Sequence, residues 1–358
     1  MNKIALYLSL LSLSSVPLMA SSARFTSSAT TSTSAATADI KVPTNIVRPT
    51  QSYLQKIKRK MDKEAAVRAF RAEIKGCKAA EVPKRRGEGY LRVVTYNVHM
   101  FKDPISKESN WDDVCANIKA LDADVLILQE ATPYYGEDND DTRKGFSDNY
   151  YCYFAKGKAS SNRTNELGNM ILVRKSVPVV ENKRPDHKRG IFGHNKIYNP
   201  DENRSAVQVE LNLQKLGCKN NLIIFGTHLN NTNEKGEQEA EARVLCELAN
   251  KDDTKGKNVI IAADFNAKAY SDTMKVFDKN FMKSSFDMAG ITEDLYFTHM
   301  YADVIDRILL KNGYDYISKL TRKSKHADNT WSLPIVGCYI LYDAASDHLP
   351  VVTDFKLR

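Results

Sequence analysis

Beyond its first twenty residues the chain has no apolar stretch that approaches the length of a membrane span. That excludes a polytopic membrane protein. Its six cysteines, at 77, 115, 152, 218, 246 and 338, include no Cys-x-x-Cys pair, so the spacing of a zinc site is missing. No Gly-x-Ser-x-Gly elbow occurs, and no cysteine lies beside a motif with other chemistry, which removes the usual serine and cysteine hydrolase patterns. Tryptophan is scarce, at 111 and 331 only, and no Trp/Phe-rich hairpin is available for docking to a bilayer. There is no internal repeat.

What is present is enough for one large domain: 358 residues, 42% of them hydrophobic. Lys and Arg number 52 against 44 Asp and Glu, a net charge of +8 that favours an anionic partner, either nucleic acid or an acidic lipid surface. Residues 1–20 read as a signal peptide: Lys3, the apolar run Ile4–Val16, then small residues before a cut after Ala20 or Ala23. The mature chain is then secreted or periplasmic, without a transmembrane segment, and monomeric. A short uncleaved anchor is the alternative. Residues 21–50 follow as a Ser/Thr/Ala-rich linker, which cannot bury enough apolar surface to offset its ordering entropy. Residues 51–88 form a basic helical segment, with Leu54, Ile57, Met61, Val67, Phe70 and Ile74 at roughly helical spacing. It is either a helix on the domain surface or an anion-binding arm. The catalytic domain spans 89–358. An even cysteine count in an exported chain allows one or two disulfides. Sequons occur at Asn162, Asn203 and Asn230, the last two residues beyond His228.

From Leu91 onward apolar runs end, one after another, in polar residues. Leu91–Asn97 ends in an amide, Asp124–Glu130 in a carboxylate and Asn221–His228 in an imidazole. Val259–Asn266 ends in Asp264 and Asn266, whose i, i+2 spacing puts both on one face if the strand continues. Asp306 sits inside an apolar run, where an ionised side chain needs a partner. Asp347 and His348 precede the last run. Helices are expected at 110–121, capped by Asn110, and at 237–249. One such polar residue is usually a turn residue. Six sites in an ordered series point instead to hard-cation and acid–base chemistry.

The motifs Thr-Tyr-Asn-Val-His (95–99), Leu-Gln-Glu (128–130), Gly-Asn-Met-Ile-Leu (168–172), Thr-His-Leu (227–229), Ala-Asp-Phe-Asn (263–266), Ile-Asp-Arg-Ile-Leu (305–309) and Ser-Asp-His-Leu-Pro-Val (346–351) resemble the endonuclease/exonuclease/phosphatase superfamily, the deoxyribonuclease I-like proteins. The resemblance implies a four-layer α-β-β-α sandwich, with two mixed β-sheets packed face to face and helices outside. It implies Mg²⁺, or Mn²⁺ in its place, held by Asn97, Glu130 and Asp347. It assigns catalysis to His228, Asp264, Asn266, Asp306 and His348, and substrate binding to Arg204 and Asn169. In that reading Asn266 donates to a non-bridging phosphate oxygen and His228 to the phosphate or the leaving group. The general base is either Asp264 or the His348–Asp306 pair.

The expected function is a secreted metal-dependent phosphodiesterase, a nuclease in the first instance. Arg204, the Asp306–Arg307 pairing and the basic insert 181–202 favour it. A lipid-directed enzyme of the sphingomyelinase or phosphoinositide phosphatase type is the alternative, with acidic lipid head groups as partners. Against the inositol phosphatases, Asn266 is followed by Ala-Lys-Ala and not by their arginine. A non-enzymatic binder on the same scaffold would require a lost site residue, and none is missing.

Overall fold

The computed structural model describes residues 42–59, 61–77, 81–132, 134–135, 140–157, 167–180, 195–197, 204–234, 236–311 and 332–357. The expected signal peptide, the linker up to residue 41, the sequons at Asn162 and Asn203, and all of the basic insert except 195–197 lie outside the described residues.

In chain order the elements are α1 (Gln51–Ile57), α2 (Lys63–Gly76), β1 (Tyr90–Asn97), α3 (Trp111–Leu121), β2 (Val125–Ala131), β3 (Tyr134–Tyr135), β4 (Asp140–Asp141), α4 (Thr142–Phe146), β5 (Tyr150–Lys156), β6 (Gly168–Arg174), β7 (Asn195–Ile197), β8 (Arg204–Leu211), β9 (Leu222–His228), α5 (Glu237–Ala249), β10 (Asn258–Asp264), α6 (Asp272–Lys279), β11 (Met282–Ser284), α7 (Ser285–Met288), β12 (Asp306–Lys311), β13 (Ile335–Ile340) and β14 (Val351–Lys356). The first sheet has the order β13-β14-β1-β2-β6-β5 and the second β11-β12-β10-β9-β8-β7, with β3 and β4 as a separate ribbon. Each sheet is mixed. One central parallel pair, β1 with β2 or β9 with β10, is flanked on both sides by antiparallel strands.

Period-2 alternation sorts the strand residues into layers. Val93, Val125, Ile127, Ile171, Val207, Ile224, Ile260, Ala262 and Ile308 share one core between the sheets. The sheets approach closely there. A Cβ on Gly226 would lie 2.6 Å from Cγ2 of Ile127 on the opposite sheet, so only glycine fits. The alternate residues face outward: Val94, Leu126, Leu128 and Leu172 pack with Val114, Ile118 and Leu121 of α3. On the other side Ile223, Phe225, Val259 and Ile261 pack with Ala242, Leu245 and Ala249 of α5 and Phe277 of α6. The result is the expected four-layer α-β-β-α sandwich.

Three local expectations are corrected. Residues 42–50 do not behave as a linker. Thr44 bridges Cys338, and the Asn45 side chain donates to the Ile340 carbonyl at 2.8 Å and accepts its N–H at 2.9 Å. The basic segment is two helices rather than one, because Asp62 takes an extended backbone and its carboxylate caps Ala65 N–H, starting α2 afresh. Ala66, Val67, Phe70 and Ile74 then form one buried face on the inner core. Asn110 occupies the N-cap position of α3 without capping it; its side chain donates to the Ala345 carbonyl instead. As for disulfides, Cys77, Cys115, Cys246 and Cys338 are free thiols, and burial raises the first to about 11 and the next two to about 12, which leaves them unreactive.

Candidate active site

The parallel pairs β1/β2 and β9/β10 all end at one edge of the sandwich. Their antiparallel neighbours therefore begin there: Asp306 pairs with Asp264, Val351 with Thr95, Gly168 with Ala131, and Ala206 with Thr227. This topology alone gathers Asn97, Glu130, Asn169, Arg204, His228, Asp264, Asp306, Asp347 and His348. Asn97, Asn169, His228, Asp264 and Asp306 occupy the inward-facing register of their strands, next to the common core. Glu130 would point outward by alternation with Leu128. A register irregularity between Leu128 and Ala131, with φ of 51° at Glu130, turns its carboxylate inward.

Asp264 is the centre of a buried network. Its Oδ2 accepts from Asn97 Nδ2 at 3.0 Å and its Oδ1 from the Asn266 N–H at 2.9 Å. Nε2 of His228 lies 3.4 Å and Nε2 of His348 3.7 Å from Oδ2. Burial, and then the Asp306 carboxylate, raise the proton affinity of Asp264. Nδ1 of His348 lies 3.0 Å from Asp306 Oδ2, which supplies the partner that the sequence demanded for that carboxylate. Burial opposes charge on His348, but Asp306 and Asp264 prevail and lift its pKa to about 10. Burial pushes His228 down to about 4.

Asn266 is not on the strand. β10 stops at Asp264, and Asn266 adopts φ of 48°, closing a turn on the Asp264 side chain. Its Nδ2 donates to the Leu229 carbonyl at 3.1 Å and lies 2.8 Å from Nε2 of His228. The carbonyl contact fixes the amide orientation, so His228 accepts at Nε2 and is neutral with its proton on Nδ1. Both amide hydrogens of Asn266 are thereby engaged, and the residue orients His228 rather than pointing at a phosphate. Arg307, next to Asp306 in sequence, lies away from this network. It faces the outer layer and binds Glu293 Oε1 and the carbonyls of Ala267 and Val304.

A cavity of about 350 Å³ opens on this network. Glu130, Asn169, Arg204, His228, Asp264, Asn266, Asp347 and His348 line it. Nδ2 of Asn169 donates to the Ser205 carbonyl at 2.8 Å, while its buried Oδ1 has no protein partner. Two lining residues escaped the sequence reading, Lys63 of α2 and His299; His99, which closes the 95–99 motif beside Asn97, lines the cavity with them. His99 lies just past β1 with φ of 45°, and His299 forms an isolated bridge with His348, their ring centroids 4.6 Å apart. Burial, and then His348, push His299 down to about 3. Nothing in the local pattern marked Lys63 or His299; a distant segment brings each to the edge. Asn230 is buried, its side chain accepting the Thr232 N–H, so this sequon is closed to a glycan.

Hard divalent cations take oxygen donors. Glu130, Asp347 and the Asn97 carbonyl are of that kind, so the residues present fit Mg²⁺ in donor chemistry. Nδ2 of Asn97 lies 3.3 Å from Glu130 Oε1, so the two side chains are neighbours, with the amide nitrogen towards Glu130 and Oδ1 accepting the His99 N–H at 3.0 Å. Asp347 is joined instead to Lys63, at 3.3 Å, and to His99, at 3.9 Å. Burial opposes it, but nearby cations, His348 first and Lys63 with it, hold its carboxyl below the usual range. The tightest acidic and histidine group among the described residues is Asp264, Asp306 and His348, whose ligand atoms lie within 4.8 Å of one another. His348 keeps its proton and Asp306 holds it, so this trio is a hydrogen-bonded relay and the oxygen donors are the better cation ligands.

These histidines set a stability profile. His228 and His299 bind fewer protons when folded than when unfolded, so stability falls as pH drops from about 6.5 towards 4. His348 acts in the opposite sense: its contribution is complete below about 6.5 and is lost as pH rises towards 10. Thermal midpoints measured in EDTA should therefore peak near pH 6–7, and His299→Gln should flatten the acid limb. A midpoint independent of pH between 4.5 and 6.5 would contradict this.

A sequence model described as the Endonuclease/Exonuclease/phosphatase family matches residues 94–348. No curated protein sequence matches the chain. Among solved structures, it is similar to the human Nocturnin catalytic domain with bound sulfate anion, at 18% identity over 76% of this chain and 96% of that one, TM-score 0.55. It is similar to an endonuclease/exonuclease/phosphatase from Beutenbergia cavernae, at 18% identity over 75% and 72%, TM-score 0.53. It is also similar to a humanized D. rerio TDP2, at 16% identity over 75% and 99%, TM-score 0.52. At these identities the likeness establishes the fold.

Proposed function

Because the chain belongs to the endonuclease/exonuclease/phosphatase family, we propose that it is a divalent-metal-dependent phosphodiesterase acting on nucleic acid. The observation that carries this reading is the juxtaposition of Asp264, a fixed carboxylate of raised proton affinity, with the His348 imidazolium 3.7 Å away. The net charge of +8 favours a polyanionic substrate. We extend the proposal to export directed by residues 1–20.

In this reading Asp264 is the general base. Asn97 and the Asn266 N–H hold its two oxygens, and burial raises its affinity for the proton of an attacking water. His348 already carries its proton, so it does not serve as a base. Its Nδ1–H is held by Asp306, and its Nε2–H donates to a non-bridging phosphoryl oxygen. Arg204 adds a second cation at the cavity wall. Neutral His228, oriented by Asn266, shields the Asp264 side of the site and accepts rather than donates at Nε2. A divalent cation held by Glu130, Asn97 and Asp347 would neutralise charge on the phosphoryl and leaving oxygens.

The test is a substrate panel for the chain without residues 1–20: supercoiled and single-stranded DNA, RNA, sphingomyelin and phosphoinositides, each with Mg²⁺ and with EDTA. Mg²⁺-dependent cleavage of a nucleic acid is expected. Hydrolysis of a lipid substrate alone would overturn the nuclease reading in favour of the lipid-directed one.

A further inference from the structure

The family match begins at residue 94, yet one wall of the cavity comes from a residue well before it. Lys63 is the first residue of α2. A cation there sits at the positive end of the helix dipole, which disfavours it. The position is a poor one for a lysine that merely solvates a surface.

The ammonium group is also held in place, unlike that of an ordinary surface lysine. Nζ lies 3.3 Å from Asp347 Oδ2 and 3.3 Å from Nε2 of His99. Nδ1 of His99 lies 2.9 Å from the Lys102 carbonyl. A carbonyl can only accept, so Nδ1 carries the ring proton and, in the neutral ring, Nε2 accepts from Lys63. An ammonium has three N–H donors. One is committed to Nε2 of His99, the Asp347 carboxylate holds the ammonium beside it as an ion pair, and the remaining donors belong to a half-exposed side chain that lines the cavity.

The helix pair is anchored to the same edge. The Tyr53 hydroxyl donates to the Met300 carbonyl, and the rings of Tyr53 and Phe70 pack on Phe297, with centroids 5.7 and 6.1 Å away. These contacts tie α1 and α2 to the segment that carries His299 into the site. Lys63 is thus delivered by a docked scaffold and not by a loose arm.

We propose that Lys63 is a substrate-binding residue that donates a remaining N–H to a phosphate oxygen of the substrate, so that the N-terminal helix pair forms part of the active site. The proposal deepens the phosphodiesterase reading and rests on it for the identity of the substrate.

The experiment compares Lys63→Ala and Lys63→Arg with wild type, all with the helix pair intact. With a nucleic-acid substrate and Mg²⁺, Lys63→Ala should raise KM about 10-fold with kcat within about threefold, as expected for a lost ground-state contact. It should also lower the slope of log KM against log salt by about 1. Lys63→Arg keeps the charge and should recover part of the KM loss. Calorimetry with inorganic phosphate in EDTA supplies a readout independent of the reaction: wild type should bind phosphate several-fold more tightly than Lys63→Ala. If wild type cleaves nucleic acid and Lys63→Ala changes neither KM nor phosphate affinity, the inference falls while the function stands. If wild type cleaves no nucleic acid, the phosphodiesterase reading fails and the phosphate titration alone decides: equal affinities overturn Lys63 as an anion-binding residue, and weaker binding by Lys63→Ala upholds it.

Discussion

Asp264→Asn is expected to lower kcat by about 10³-fold, within the range of 10²–10⁴ that general-base catalysis contributes. The amide has nearly the shape of the carboxylate but cannot take a proton from water. The loss should come without loss of stability. Burial and Asp306 disfavour the ionised carboxyl in the folded state, and relief of that charge offsets the acceptor lost where the new amide nitrogen faces the Asn97 or Asn266 donor. A kcat within tenfold of wild type would return the role of base to the His348–Asp306 pair. Thermal unfolding of the same variant checks the second half: its midpoint should be no lower than that of wild type.

Arg92→Met is expected to destabilise the protein by about 3–5 kcal/mol, the range for breaking a buried ion pair on one side only. Arg92 and Asp354 are 1% and 2% exposed. The pair is bidentate: Nε donates to Oδ1 at 2.8 Å and Nη2 to Oδ2 at 2.9 Å. Arg92 further donates to the carbonyls of Leu121 and Pro83, tying β1 to the end of α3. Methionine fills similar volume but strands the Asp354 carboxylate and both carbonyls. Urea unfolding measures the effect, and Arg92→Met with Asp354→Leu should recover a large part of it. A single-variant loss under 1 kcal/mol would show that the pair does not hold β1 to β14. The two strands matter to the site because β1 ends in Asn97 and β14 follows Asp347 and His348.

The strand ends were legible in the sequence because a buried strand must be apolar until it reaches the mouth of a site. Asn97, His228, Asp264 and Asp306 stand out for that reason, and parallel pairing of β1 with β2 and of β9 with β10 sends the exits to one edge. The helix at 237–249 was legible from its periodicity and has the same bounds in the structure. Other features depend on backbone geometry or on distant contacts, which local pattern does not encode. The inward turn of Glu130 needs a bulge, and the departure of Asn266 from the strand needs a positive φ. The capture of Asn266 by His228 needs two strands in register, since Asp264 pairs with His228 across β10 and β9. Lys63 joins the site only because Tyr53 and Phe70 dock α1 and α2 onto a segment more than two hundred residues away. A basic amphipathic helix reads the same whether its charges face solvent or a phosphate.

Nicking of supercoiled plasmid by the chain without residues 1–20, in Mg²⁺ and in EDTA, with His348→Ala as the control, tests the central claim most directly. Nicking that needs Mg²⁺ and disappears in His348→Ala is the expected result. Nicking of equal rate in the variant would contradict the assignment of this edge as the active site of a metal-dependent nuclease, and a folded wild-type chain that cleaves neither plasmid, single-stranded DNA nor RNA would contradict the nuclease reading.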